Sequence, residues 1–198
     1  MTRHHMIISG TGRAGTTFLV QMFTALGFDT GFNDVTATVD ATSNAGMEHD
    51  LRDPEAPYIV KAPWICDYLD AVLTRGDVVV DRAFVPMRDL FAAAESRREI
   101  SRRSEPMKLP DSPPGGLWHT DVPDEQERIL TDRLYQLIYA LARHDVPTTL
   151  LYFPRLVQDA DYLYAKLASV LGDVSIDRFR AVFRDVARSE LVHDFVRS

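Results

Sequence analysis

A single cysteine, Cys66, stands among 198 residues. No disulfide can form within the chain, and no cysteine-built zinc site either. No apolar run approaches the ~20 residues that span a bilayer. The segment Met1–His5 leads straight into apolar Met6–Ile8, without the longer apolar stretch and small-residue cleavage site of a secretory leader. A reducing cytoplasm is the expected compartment. Lysine is scarce: Lys61, Lys108 and Lys166 are the only three, against nineteen arginines. A compositional bias toward arginine accounts for the imbalance, and makes a conspicuously placed lysine worth noting. Positive charge is also in deficit overall. The net charge of −7 argues against a chain that coats nucleic acid.

The rest of the composition is that of a globular protein. Hydrophobic residues make up 45% and charged residues 26%, and the length suits one domain over 1–198. Apolar Met6–Ser9 reads as a buried strand ending at Gly10. Residues Phe18, Leu19, Met22, Phe23 and Leu26 recur at helical spacing over Thr16–Leu26, and Gly27 stops that helix. Further strands are expected at Tyr58–Val60, at Val78–Met87 with an interruption at Asp81-Arg82, and at Thr148–Phe153. Helices are expected at Trp64–Arg75, Arg88–Arg103, Asp124–His144, Arg155–Leu171 and Ile176–Val186. The acidic stretch Phe28–Pro57 reads as a long excursion with some helix, and Glu105–Pro123, rich in proline and glycine, as a loop. Strands alternating with helices argue for an α/β fold with a parallel sheet and helices on both sides. The two long loops then belong over the carboxyl ends of the strands, where such folds bind ligands.

The segment Ser9-Gly10-Thr11-Gly12-Arg13-Ala14-Gly15-Thr16-Thr17 follows a strand and opens a helix. Gly10-x4-Gly15 is the spacing of a phosphate-cradling loop. Glycines let the backbone wrap an anion, and the first N–H groups of the helix point at it. In the nucleotide triphosphatase form a lysine follows the second glycine and works with magnesium on the β- and γ-phosphates. Here Thr16 holds that place and the cation lies inside the loop, at Arg13. The shift suggests a different phosphoryl-like group.

Arg13-Ala14-Gly15-Thr16-Thr17-Phe18-Leu19 resembles the 5′-phosphosulfate loop of PAPS-dependent sulfotransferases, in the arginine-first form of several bacterial members (PAPS is 3′-phosphoadenosine 5′-phosphosulfate). Those enzymes hold the 3′-phosphate with an arginine ending the third strand and a serine eight positions later. Phe84-Val85-Pro86-Met87-Arg88-Asp89 followed by Ser96 is similar to that pair. Lys61-Ala62-Pro63 is similar to the Lys-x-Pro of many bacterial relatives. The likeness covers residues 6–27 and 58–103, and more vaguely 148–171, about half the chain. It implies a P-loop-type, three-layer α/β domain with a parallel sheet of about four to five strands flanked by helices. It also implies PAPS as donor and adenosine 3′,5′-bisphosphate as product. Gly12, Arg13, Ala14, Gly15, Thr16, Thr17 and Phe18 would sit at the donor, Arg88 and Ser96 at its 3′-phosphate, and Lys61 near the moving sulfuryl group. Phe18 reads equally as a core residue of its helix.

The implied chemistry is in-line transfer to a hydroxyl or amine of a small-molecule acceptor. Arg13, the loop amides, Thr16 and Thr17 would stabilise charge on the bridging oxygen. The acceptor's proton needs a base. Pro63 stands where cytosolic members place a histidine. Arginine-first members use a carboxylate about twenty-one positions beyond the arginine, which by count is Asp34; Asp40, Glu48 and His49 share its excursion. Two other readings stay open. A P-loop nucleotide kinase-like phosphotransferase would use Val78-Val79-Val80-Asp81 to orient magnesium. A non-catalytic nucleotide-binding relative would fit Val174–Ser198, which has no glycine and no Arg-Lys-Gly clamp of the kind that fuller members carry. Trp118 reads as a loop anchor more than an acceptor-binding lid. Arg97, Arg98, Arg102 and Arg103, interleaved with glutamates, read as mostly surface, and so do Arg178, Arg180, Arg184 and Arg188. No motif speaks to oligomeric state.

Overall fold

The computed structural model describes residues 2–40, 43–104, 115–188 and 195. Four strands, β1 (Arg3–Ile8), β2 (Ile59–Lys61), β3 (Val78–Met87) and β4 (Thr148–Tyr152), form one all-parallel sheet in the order β2-β1-β3-β4. Among the described residues seven α-helices flank it: α1 (Thr16–Leu26), α2 (Leu69–Arg75), α3 (Leu90–Ser104), α4 (Gln126–Arg143), α5 (Arg155–Gln158), α6 (Ala160–Leu167) and α7 (Ile176–Val186). The fold is three-layer α/β, as the periodicity implied. Among the described residues no helix is long and apolar enough to cross a membrane.

Central strands buried on both faces read as near-continuous apolar runs, and successive residues serve opposite layers. Met6 and Ile8 of β1 join Phe84 and Leu151 under α1, α6 and α7. Ile7 joins Val60, Ala83 and Val85 under α2, α4 and the 3-10 turn Pro63–Asp67. Helix α1 has the bounds its spacing predicted. It ends where the left-handed Gly27 (φ 90°) returns its N–H to the Phe23 and Thr24 carbonyls. The Asp81-Arg82 interruption is a bulge: β1 advances one residue, His5 to Met6, while β3 advances from Val80 to Arg82. Asp81 thereby faces out, accepting from Tyr58 Oη (3.1 Å) and lying 2.8 Å from His4 Nδ1.

Three expectations need correction. The excursion 28–57 contains no helix among its described residues. Its aspartates make turns instead: Asp34 accepts from the Thr36 amide, Asp40 from Ser43, Asp50 from Arg52 and Asp53 from Glu55. Such short side chains compete with helical hydrogen bonding. Fully buried Met47 and Leu51 pin the excursion to opposite sides of the sheet. The helix expected over Trp64–Arg75 divides at Tyr68 into the 3-10 turn and α2. The one expected over Arg155–Leu171 divides at Asp159, whose side chain caps the Tyr162 amide. Residues 105–114 of the expected Pro/Gly-rich loop lie outside the described residues.

The sheet changes direction beside β1: the chain leaves β1 for β2 on one side and crosses to β3 on the other. The carboxyl ends of β1 and β3 therefore border a crevice at a topological switch point. Strand β1 also buries a titratable group. His5 Nδ1 lies 2.8 Å from the Pro57 carbonyl, which only accepts, so Nδ1 carries the proton and Nε2 is buried without a partner among the described residues. Burial pushes this imidazole below its ordinary value. The unfolded chain then binds the proton more tightly than the folded one, so stability is lost as pH falls through about 6.5. Urea unfolding at pH 7 and pH 5 is expected to show that loss, and His5→Phe is expected to flatten it.

Candidate functional site

The glycine loop spans β1 and α1 at the switch point. Gly12 (φ 67°), Arg13 (φ 55°) and Gly15 (φ 85°) all take the left-handed conformation. For the two glycines this is free of penalty; for Arg13 it costs roughly 1–2 kcal/mol. Arg13 is held there at both ends. Arg88 Nη1 donates to its carbonyl (2.9 Å), while its own guanidinium donates to Ser96 Oγ (3.0 Å, from Nε) and to the Ser43 carbonyl. Helix α1 starts without a side-chain cap. The backbone N–H groups of residues 10–18 donate to no other described residue. Orphaned amides in this number are costly unless something accepts from them.

These groups border a cavity of about 800 Å³, lined by Gly12, Arg13, Gly15, Thr16, Thr17, Phe18, Lys61, Arg88 and Ser96 among others. Of the site residues that the resemblance implied, these nine are brought together. Ala14 is fully buried behind the loop. Asp34 does not line the cavity. It is exposed, and its carboxyl, held by the Thr36 amide and hydroxyl, titrates below the usual carboxylate range. Asp40 is occupied by Ser43, and the His49 ring packs on Phe32, 4.6 Å between centroids. Of the four acid–base candidates only Glu48 lines the cavity. There it forms an ion pair with Lys61, whose ammonium also donates to the Gly46 carbonyl (2.8 Å) and Thr17 Oγ1 (3.3 Å). Phe18 meets Phe183 edge-on at 5.6 Å, a core packing, while one side of it borders the cavity.

Two arginines expected on the surface are at the site instead. Arg97 is 4% exposed and lines the cavity. The sequence did hold a signal. Arg98, Arg102 and Arg103 each have a glutamate partner on α3, whereas Arg97 has Ala93, Ala94, Ile100 and Ser101 at helical spacing, so its face is the buried one. Arg188, just beyond α7, also lines the cavity, and the Phe195 ring lies 5.8 Å from the Arg88 guanidinium. Arg178 and Arg180 are tied to the Leu26 carbonyl and Asp161. Trp118 is anchored: the buried Gln126 accepts from its N–H (2.7 Å) and donates to its carbonyl (3.3 Å). His119 lies 3.1 Å from Asp67.

Burial and mutual repulsion act together on these cations. Desolvation, with Arg88 nearby, pushes Arg13 down to about 10, against a weaker pull from Asp40. Desolvation and Arg13 push Arg97 down to about 9. Lys61 is lowered chiefly by burial, which Glu48 opposes and Arg13 and Arg97 reinforce. Arg13 and Arg97 remain cationic at neutral pH, so a chain of net charge −7 encloses a concentrated positive site. No family model matches the chain, and no curated protein matches it in sequence. What the fold and geometry define is an α/β protein with a cationic cavity at the switch point of its sheet.

Amides with no acceptor among the described residues, set beside repelling cations, lead us to expect that a doubly charged oxyanion is stabilising. At about 100 times its Kd, sulfate is expected to contribute about 2.7 kcal/mol, a rise of roughly 5–10 °C in Tm for a chain of this size. Differential scanning calorimetry at constant ionic strength checks this, with chloride as control. Arg13→Gln is expected to remove most of the response.

Proposed function

We propose that the cavity binds PAPS and moves its sulfuryl group to a hydroxyl or amine of a small-molecule acceptor. The observation that carries the reading is the run of amides at residues 10–18 with no acceptor among the described residues, in a loop whose Gly12, Arg13 and Gly15–Phe18 line one cavity with Arg88 and Lys61. The loop amides, Arg13, Thr16 and Thr17 grip the 5′-phosphosulfate and stabilise charge on the bridging oxygen as the sulfur–oxygen bond to the phosphate breaks. Lys61 neutralises the sulfuryl oxygens from the β2 side. Glu48 takes the acceptor's proton as the new oxygen– or nitrogen–sulfur bond forms, and adenosine 3′,5′-bisphosphate leaves. Ser96 accepts from Arg13 and keeps its own hydroxyl proton to donate to a 3′-phosphate, beside Arg88. Arg188 brings a further cation to the cavity, where the sequence offered no glycine clamp, and the Phe195 ring lies near the Arg88 guanidinium. The kinase-like alternative leans on Asp81, which is paired with His4 and Tyr58 and does not line the cavity.

Calorimetric titration separates the readings. Adenosine 3′,5′-bisphosphate is expected to bind without magnesium, and Arg88→Ala to weaken it by about tenfold or more. Tight magnesium-dependent ATP binding, indifferent to a 3′-phosphate, would favour the kinase-like reading. Sulfuryl transfer from PAPS, measured over a panel of hydroxyl and amine acceptors, tests the base. Glu48→Gln is expected to lower turnover about 100- to 10,000-fold and Asp34→Asn to leave it unchanged. The reverse pattern would return the proton to Asp34.

A further inference from the structure

Arg97 is absent from the chemistry above, yet it is the most deeply buried arginine of the cavity wall. Every hydrogen bond recorded for it ends on a backbone carbonyl. Nε (3.3 Å) and Nη2 (2.8 Å) donate to Thr11, and Nη1 (2.8 Å) donates to Gly116. Among the described residues no carboxylate pairs with it. A Cβ at position 12 would stand 2.5 Å from Nη2, so glycine there is what lets the guanidinium reach the loop.

The Thr11 carbonyl belongs to the glycine loop. In a planar trans peptide the N–H points opposite to the C=O. A guanidinium that holds the Thr11 carbonyl therefore turns the Gly12 N–H away from itself. Arg88 does the same to the next peptide but one by holding the Arg13 carbonyl. Without such a hook the peptide before a glycine flips at little cost, because glycine accepts either sign of φ. On its other side Arg97 holds a roof. Gly115 borders the cavity beside the Arg13 guanidinium, the Leu117 N–H donates to Ser101 Oγ (2.8 Å) and Gln126 clasps Trp118. The Trp118 ring lies 5.2 Å from the Arg97 guanidinium carbon.

We infer that Arg97 is a positioning residue of the anion site: it hooks the glycine loop to the Gly115–Trp118 roof and fixes the direction of the Gly12 amide. The inference rests on the anion-binding half of the proposed function and not on which nucleotide is bound. The task needs a planar fork that spans two carbonyls. A lysine brings the charge without the fork.

The test titrates the full chain with inorganic sulfate and, separately, with adenosine 3′,5′-bisphosphate. Wild type, Arg97→Lys and Arg97→Gln are compared by calorimetry, with Tm recorded for each. Fluorine NMR of 5-fluorotryptophan-labelled protein follows Trp118, its line assigned with Trp118→Phe. Both Arg97 variants are expected to lose sulfate affinity by about tenfold or more, and the sulfate-dependent movement of the Trp118 line is expected to vanish with it. An Arg97→Lys protein that keeps wild-type sulfate affinity would overturn the inference, since charge alone would suffice. Should neither variant fold, wild type still decides. Its Trp118 line is expected to move with the calorimetric midpoint, and a line that stays put while sulfate binds overturns the coupling. Sulfate binding with the expected pattern but no bisphosphate binding would sink the sulfotransferase reading and leave this inference standing. A wild-type chain that takes neither anion sinks both.

Discussion

Positive charge buried faster than it is balanced is the constraint on which the site depends. Arg13, Arg97 and Lys61 are each shifted toward losing a proton, mainly by desolvation, with Arg88 adding to the shift of Arg13, Arg13 to that of Arg97, and both Arg13 and Arg97 to that of Lys61. Glu48 answers Lys61, and Asp40 answers Arg13 from farther away. Arg97 has backbone carbonyls and an indole ring for company. A fold retains such an arrangement at a cost to its own stability. On the proposed function an entering anion offsets that cost and accepts from loop amides that have no acceptor among the described residues. Two independent shortages, of acceptors and of negative charge, thus point at one ligand chemistry.

The sheet explains why these groups meet. Four parallel strands end at the same edge, and the switch between β1 and β3 sets the glycine loop beside Arg88. Lys61 arrives from the end of β2, and Ser96 and Arg97 from adjacent positions of α3. The excursion 28–57 adds the remaining wall. It packs through Met47 and Leu51 and contributes Ser43 to Arg13 and Gly46 and Glu48 to Lys61. Its aspartates serve chiefly as turn-makers, so an acidic composition there describes local backbone geometry more than affinity for a charged partner.

Asp34 and Glu48 show the difference between counting and placement. Counting from Arg13 reaches Asp34, a residue whose carboxylate is spent on its own turn and faces solvent. Fourteen positions farther on, Glu48 lies in the cavity because the turn around Gly46 and Met47 folds that stretch back toward Lys61. Sequence distance carries no information about which way such a loop returns.

Local rules were enough for much of the architecture. The bounds of α1, β3 and α7, the glycine loop between strand and helix, and the alternation that makes a parallel three-layer sheet are all short-range: periodicity, capping glycines and apolar runs decide them. The burial of Arg97 was readable in principle from its missing glutamate neighbours. Tertiary structure alone decided the rest. The described residues of the 28–57 segment became a wall of the cavity, Arg188 came to it from the far end of the chain, and Glu48 rather than Asp34 came to face Lys61. Each of these depends on contacts between residues tens of positions apart, and no pattern within one segment encodes where another segment lands.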